Sequence, residues 1–182
     1  MLHDRYLLVP IPEGLLLVDP RAAHLRVCYE RALAHLREAS GDTQALLFPE
    51  SVALSPSQVE HMDELQPTLR ALGFDVDALD ERTVVLRGVP AHLSADDNGK
   101  TALKALLETG DALTGPEEEQ RKQIANTMAQ QAALPAGASL TEAERRRLLR
   151  DLVACEMPYV DPEGRPTLKT LPMEALDAHL RG

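Results

Sequence analysis

Apolar positions in this chain follow two rhythms, alternation in short runs and a helical stripe, and no unit repeats. Residues 6–11 and 15–19 are short apolar runs separated by Pro12, Glu13 and Gly14, which predicts a β-hairpin. Asp19 and Pro20 then open a helix, since aspartate is a favoured N-cap and proline suits the first helical position. Ala22, Leu25, Cys28 or Tyr29, Ala32, Leu33 and Leu36 recur at helical spacing, so this helix should reach about Glu38. Residues 44–54 read as a strand in which Pro49 demands an edge position or a bend. Ser55 and Pro56 start a second helix with Val59, Met62, Leu65 and Leu69 on its apolar stripe. Pro67 predicts a kink there, or a break into two short helices, and Gly73 ends it.

Residues 74–79 and 83–89 are two further strands around Asp80, Glu81 and Arg82. Residues 95–99 form a polar loop and 100–108 a short helix. Thr114 to Glu117 has the form of a capping box, and Glu117, Glu118 and Glu119 suit a positive helix N-terminus, so a helix should run to about Ala133. Pro135 and Gly137 break it. Thr141 and Glu144 form a second box, opening a helix to about Cys155. A turn at Asp161, Pro162, Glu163 and Gly164 leads to a last strand, residues 167–171, and a last helix, residues 172–180. The class is α/β in the broad sense, α+β, without regular alternation.

Composition narrows the function. With 182 residues, 44% hydrophobic and 26% charged, the chain can bury a sizeable core. It has no Trp, three Tyr and two Phe, so that core is mainly Leu, Val and Ala. A formal net charge of −10 argues against strong independent nucleic-acid binding, which draws on a basic patch, and leaves room only for a local basic strip. Cys28 and Cys155 form no Cys-x-x-Cys pair, so a reducing cytoplasm is expected. No apolar run approaches ~20 residues, so no membrane partner is expected. Met1, Leu2, His3 and Asp4 do not form a signal peptide. Both ends lie close to ordered elements, the pattern of a domain cut from a longer protein. Gly-x-Ser-x-Gly, P-loop, Gly-x-Gly-x-x-Gly and His-Glu-x-x-His motifs are absent.

Four segments carry a family resemblance. Asp19-Pro20-Arg21-Ala22-Ala23-His24-Leu25-Arg26-Val27-Cys28-Tyr29-Glu30 resembles the Asp-Gln-His-Ala-x-x-Glu-x-x-x-x-Glu segment of the MutL family of DNA mismatch-repair proteins. Residues 129–137 resemble that family's Ala-Cys-(Arg/His/Lys)-x-Ala-(Ile/Val)-(Arg/Lys)-x-Gly, with Gln130 for the cysteine. Residues 154–167 resemble Cys-Pro-His-Gly-Arg-Pro-Thr, with Asp161 for the cysteine and Glu163 for the histidine. Residues 44–49 match Gln-x-x-(Leu/Ile)-x-Pro.

In nuclease members the first three segments build a metal-dependent DNA-nicking site. Here Asp19 and Glu30 survive, while Pro20, Arg21, Leu25, Gln130, Asp161 and Glu163 depart from the pattern. The resemblance therefore implies a domain without nuclease activity and with no cofactor of its own. The competing reading is a nicking endonuclease holding Mn or Zn with Asp19, Glu30, Cys155, Asp161 and Glu163, with His24 as a further candidate. Oxygen ligands at Asp161 and Glu163 would favour Mn²⁺ or Mg²⁺ over Zn²⁺. The structural readings are simpler: Asp19 a helix N-cap, Glu30 a solvated helix residue, Asp161 and Glu163 a charged turn, Cys28 and Cys155 packing residues.

The fourth segment implies contact with the sliding clamp through Gln44, Leu46, Leu47, Phe48 and Pro49. A glutamine can set orientation by hydrogen bonds while apolar side chains fill a groove. Leu46 alternates with Gln44 and can instead face the core. The family's architecture implies a dimerisation lobe from residues 1–43 and 116–182, with an inserted external lobe at 44–115. It also implies a homodimer, partnership with other mismatch-repair proteins, DNA contact mainly through the full-length protein, and ATP bound only by an N-terminal region outside this chain. A general protein-interaction module is the third possibility.

Overall fold

The computed structural model describes residues 2–3, 5–93 and 98–181. In chain order the elements are β1 (Leu7–Ile11), β2 (Gly14–Val18), α1 (Pro20–Glu38), β3 (Thr43–Ala53), α2 (Pro56–Leu72), β4 (Asp75–Asp80), β5 (Thr83–Pro90), α3 (Asn98–Thr109), α4 (Glu117–Ala132), α5 (Glu142–Val153), β6 (Leu168–Pro172) and α6 (Met173–Arg181). A short 3₁₀ turn, Gly110–Ala112, follows α3. The α+β class expected from the pattern is the observed one. Among the described residues no helix is long and apolar enough to cross a membrane.

The chain divides into two compact units, Met1–Cys28 with Ala133–Gly182, and Tyr29–Ala132. The first holds an antiparallel sheet of order β1-β2-β6. Register sets its two faces, because directly paired residues point the same way. Leu7, Val18 and Leu168 share one face, as do Val9, Leu16 and Thr170. This face meets Ala23 and Val27 of α1 and Leu148 and Leu152 of α5 in one buried cluster. Gly14 ends the hairpin turn at φ +145°, and a Cβ there would lie 2.2 Å from the Leu171 carbonyl oxygen. Thr141 and Glu144 form the expected capping box, each side chain bonded to the other's backbone N–H.

The second unit holds a sheet of order β3-β5-β4. Its core combines Val52, Val84 and Leu86 with Leu65, Leu69 and Leu72 of α2, Leu103 and Leu107 of α3, and Met128 of α4. Ser55 caps α2: its hydroxyl accepts the Gln58 N–H at 3.3 Å, and the Gln58 side chain accepts the Ser55 N–H at 2.9 Å. Gly73, left-handed at φ +97°, terminates the helix as expected.

Three local expectations need correction. Pro67 does not divide α2, which runs unbroken from Pro56 to Leu72. The second unit's tertiary contacts hold this segment helical, with Leu65 and Leu69 buried on either side of the proline. The box expected at Thr114 does not form among the described residues, and α4 begins at Glu117 with the Pro116 carbonyl accepting from the Glu119 and Gln120 N–H groups. Asn98 and Gly99, read as loop, lie in α3, and residues 95–97 of that expected loop fall outside the described residues.

Candidate functional site

Asp19 sits at the mouth of α1. Its Oδ1 accepts the N–H groups of Arg21 at 2.9 Å and Ala22 at 3.0 Å, which is N-cap geometry. Its own N–H donates to the Thr167 carbonyl at 2.8 Å, tying the cap to the segment before β6. Residues 19–21 and 134–137, parts of two motif segments, come together with Arg5, Tyr6 and Ala138 around a hollow of about 190 Å³.

One helical turn on, His24 Nδ1 accepts the Leu134 N–H at 3.3 Å, and the buried Cys28 Sγ lies 3.5 Å from the same nitrogen. That ring nitrogen therefore already serves as an acceptor within the fold. Cys155 is half-buried, not fully enclosed, and its Sγ donates to the Asp151 carbonyl at 3.4 Å. Glu30 is half-buried on the part of α1 that belongs to the second unit.

Asp161 forms the expected turn but is far from solvated: its side chain has 0% exposure. Oδ1 accepts the N–H groups of Glu163 and Arg165, both at 2.9 Å, and Oδ2 accepts Arg165 Nε at 2.7 Å. The Asp161 N–H donates to the Arg165 carbonyl at 2.8 Å, and the Gly164 N–H returns to the Asp161 carbonyl at 3.0 Å. Glu163 meets the same arginine, 3.1 Å from Nη2. The bond from Asp161 holds the Arg165 guanidinium above its ordinary pKa, with the charges of Glu163 and Asp19 adding to it. Arg26 of α1 is buried and donates from Nε to the Val160 carbonyl at 2.6 Å. The buried bond of Arg26 escaped the sequence reading, and Arg165 was read only as part of the turn, without its pairing to Asp161 and Glu163. The signal for Arg26 was a charged residue inside the apolar run Leu25-Arg26-Val27.

In the second unit, β3 pairs with β5 at residues 43–45 and again at 50–53, with a register shift between Ala45 and Glu50. The unpaired residues of that bulge, 46–49, are the last four of the predicted clamp motif, whose Gln44 still pairs with Val89 of β5. Leu47 is 94% exposed and Phe48 80% exposed, large apolar side chains pointing into water. Gln44 and Pro49 are exposed too, whereas Leu46 packs partly against the core.

A family model described as the MutL C terminal dimerisation domain matches residues 1–140. The chain belongs to this family. Relatives named DNA mismatch repair protein MutL bear it out: that of Chloroherpeton thalassium is 36% identical over 97% of this chain and 28% of its own length. Those of Flavobacterium johnsoniae and Chlorobaculum tepidum are 31% and 33% identical, each over 97% of this chain. The chain spans less than a third of the length of these relatives, 27% to 28%.

For a MutL domain the question is whether these residues suit a metal. They do not. Among the described residues no three His, Cys, Asp or Glu side chains group closely enough to hold one ion. Asp19 Oδ1 and both oxygens of Asp161 are committed to N–H donors of the fold. Arg5 and Arg21 line the hollow beside Asp19, and a guanidinium, always protonated, repels a cation. The donor set is built to hold loops and a helix end.

Proposed function

We propose that this domain acts as the homodimerising end of a mismatch-repair protein and has no nuclease activity of its own. The carrying observation is the outer face of the β1-β2-β6 sheet. Leu8 pairs with Leu17 and Lys169, and Pro10 pairs with Leu15 and Leu171, so that face is apolar except for one lysine. A solvated face of an antiparallel sheet normally alternates to polar. The helix that follows, α6, has no buried residue and leaves Met173 53% and Leu180 87% exposed. Covering such a surface with a second copy removes aliphatic side chains from water at ~1.5–3 kcal/mol for each one fully buried.

In this reading the lobe of the two chain ends pairs, and the central lobe carries the clamp motif. Pairing tethers two N-terminal ATPase regions and raises their effective concentration. Those regions bind ATP and supply most of the DNA contact. Gln44, Leu47, Phe48 and Pro49 dock on the sliding clamp as an extended peptide, with Leu46 anchoring the bulge from beneath. The exposure of Leu47 and Phe48 supports this, as does a bulge that leaves their backbone outside the β5 ladder. Other mismatch-repair proteins complete the assembly, which works in the cytoplasm at the nucleoid.

Light scattering tests the pairing. The domain should show twice its 19.9 kDa mass at micromolar concentration. Leu17→Asp with Leu171→Asp should halve that mass while leaving the circular dichroism spectrum intact. A monomer before substitution refutes the proposal.

A further inference from the structure

The first unit contains a groove along the edge of β1 that shares only Leu8 with the proposed dimer face and no residue with the clamp motif. Its walls are three consecutive residues of β1 (Leu7, Leu8 and Val9) and Glu142, Arg145, Arg146 and Leu149 of α5. The volume is about 250 Å³. Successive strand residues point to opposite faces, so a cavity touching three in a row lies along the strand's edge and not on one face. β1 is a terminal strand of its sheet, so that edge has no strand partner among the described residues. The four helical residues sit at i, i+3, i+4 and i+7, a single stripe of α5 facing that edge. The floor is apolar: Leu7 is buried, and Leu149 packs against the core.

Arg145 is half-buried, and its guanidinium has no ion pair or hydrogen bond among the described residues. Nearby Arg146 pairs with Glu142, but both side chains are largely exposed, at 80% and 68%. Such a pair contributes about 0–1 kcal/mol and exchanges easily. The groove thus offers an open strand edge, an aliphatic floor and a forked cation suited to a carboxylate.

We propose that this groove binds an extended segment of a partner protein, added as a strand to β1, with a Leu-like side chain over Leu149 and an Asp or Glu side chain on Arg145 and Arg146. A strand edge and an aliphatic floor favour a peptide over nucleic acid, whose phosphates make no use of either. The binding adds no covalent chemistry and needs no change in the dimer.

A fluorescein-labelled decapeptide alternating leucine and aspartate tests this by anisotropy. Saturable binding in the micromolar range is expected, weakened at least about tenfold by Arg145→Ala and less by Arg145→Lys. The same peptide with alternate backbone nitrogens methylated should lose binding, because it cannot donate to the strand. No saturation by about 1 mM, equal affinity for the Arg145→Ala protein, or equal affinity for a lysine-leucine peptide overturns the proposal. So does a labelled single-stranded decanucleotide that competes at the same site. Light scattering on the peptide-bound protein separates the readings. An unchanged dimer mass leaves the groove as a separate site, and dissociation to monomers assigns the β1 edge to the dimer contact and refutes a separate site.

Discussion

Replacing Asp161 distinguishes a loop-holding carboxylate from a metal ligand. In Asp161→Ala, the N–H groups of Glu163 and Arg165 lose their acceptor, and Arg165 Nε loses its carboxylate. An unmet buried donor costs about 1–3 kcal/mol. Glu163 and Arg165 lie on an exposed loop, so water can reach those donors and the lower end applies. The ion pair, with Arg165 half exposed, contributes about 1 kcal/mol. The whole change is therefore about 3 kcal/mol, which for a chain of this size lowers the thermal midpoint by about 6–12 °C. Asp161→Asn keeps an oxygen for the two N–H groups but turns an amide donor toward Arg165 Nε. Its cost is about 1 kcal/mol, or a drop of about 2–4 °C. Calorimetry gives both midpoints, and a Mn²⁺ titration of each protein gives the metal count. An alanine variant that melts within about 1 °C of the parent refutes the loop argument. Mn²⁺ bound by the parent and lost in the asparagine variant restores Asp161 as a ligand.

Ser55→Ala removes the acceptor for the Gln58 N–H and should destabilise the domain by about 1 kcal/mol, read from a denaturant titration. The carboxyl of Glu144 is held below its ordinary value of 4.5, first by the Thr141 hydroxyl and then by the Thr141 N–H. The Arg37 hydrogen bond does the same for Glu118. Both are lowered in the folded state, so their stabilisation is full above pH 4.5 and is lost as pH falls through the folded values. Thermal midpoints measured down through this range should fall less steeply for Glu144→Gln than for the parent, and parallel curves would contradict the assignment. Leu47→Ser with Phe48→Ser should leave the midpoint within about 1 °C, because both side chains are already in water, and weaken clamp binding at least about tenfold by surface plasmon resonance. Unchanged affinity would remove the motif from the clamp contact.

Most helices and strands were legible because their signals are local. Asp19-Pro20 and Ser55-Pro56 are start signals that act within four residues, and both hold in the structure. Of the two outcomes expected at Pro67, a kink or a break, the break does not occur, because a local breaking tendency met a segment fastened by Leu65 and Leu69 to a buried core. Pro49 was read correctly as a disturbance of an edge strand, but the length of the bulge depends on how β3 finds β5, a non-local pairing. The same limit hid Asp161. Its turn is written in Pro162 and Gly164, while its surroundings are set by bonds between distant segments: Arg26 to the Val160 carbonyl, the Thr167 hydroxyl to the Pro158 carbonyl, and the Thr167 N–H to the Tyr159 carbonyl. The substituted motif residues were legible one by one in the sequence, and the bonds they make across the fold were not.

Charge is divided between the two units in a way that bears on pairing. The unit built from the chain ends carries ten Lys and Arg against eleven Asp and Glu, a formal charge of −1. The other carries nine against eighteen, or −9. Two copies of a chain with net charge −10 repel when brought together, and the repulsion grows with the charge placed near the contact. Here nearly all of it lies on the unit that is not proposed to pair. Within its own unit, the apolar outer face of the first sheet brings little net charge to a contact with its own image, and screening by salt removes most interaction between exposed charges beyond ~10 Å. A uniformly acidic domain would need compensating cations at its interface. This one has Lys169 alone among the paired residues of that face, and the proposed pairing rests on aliphatic side chains instead.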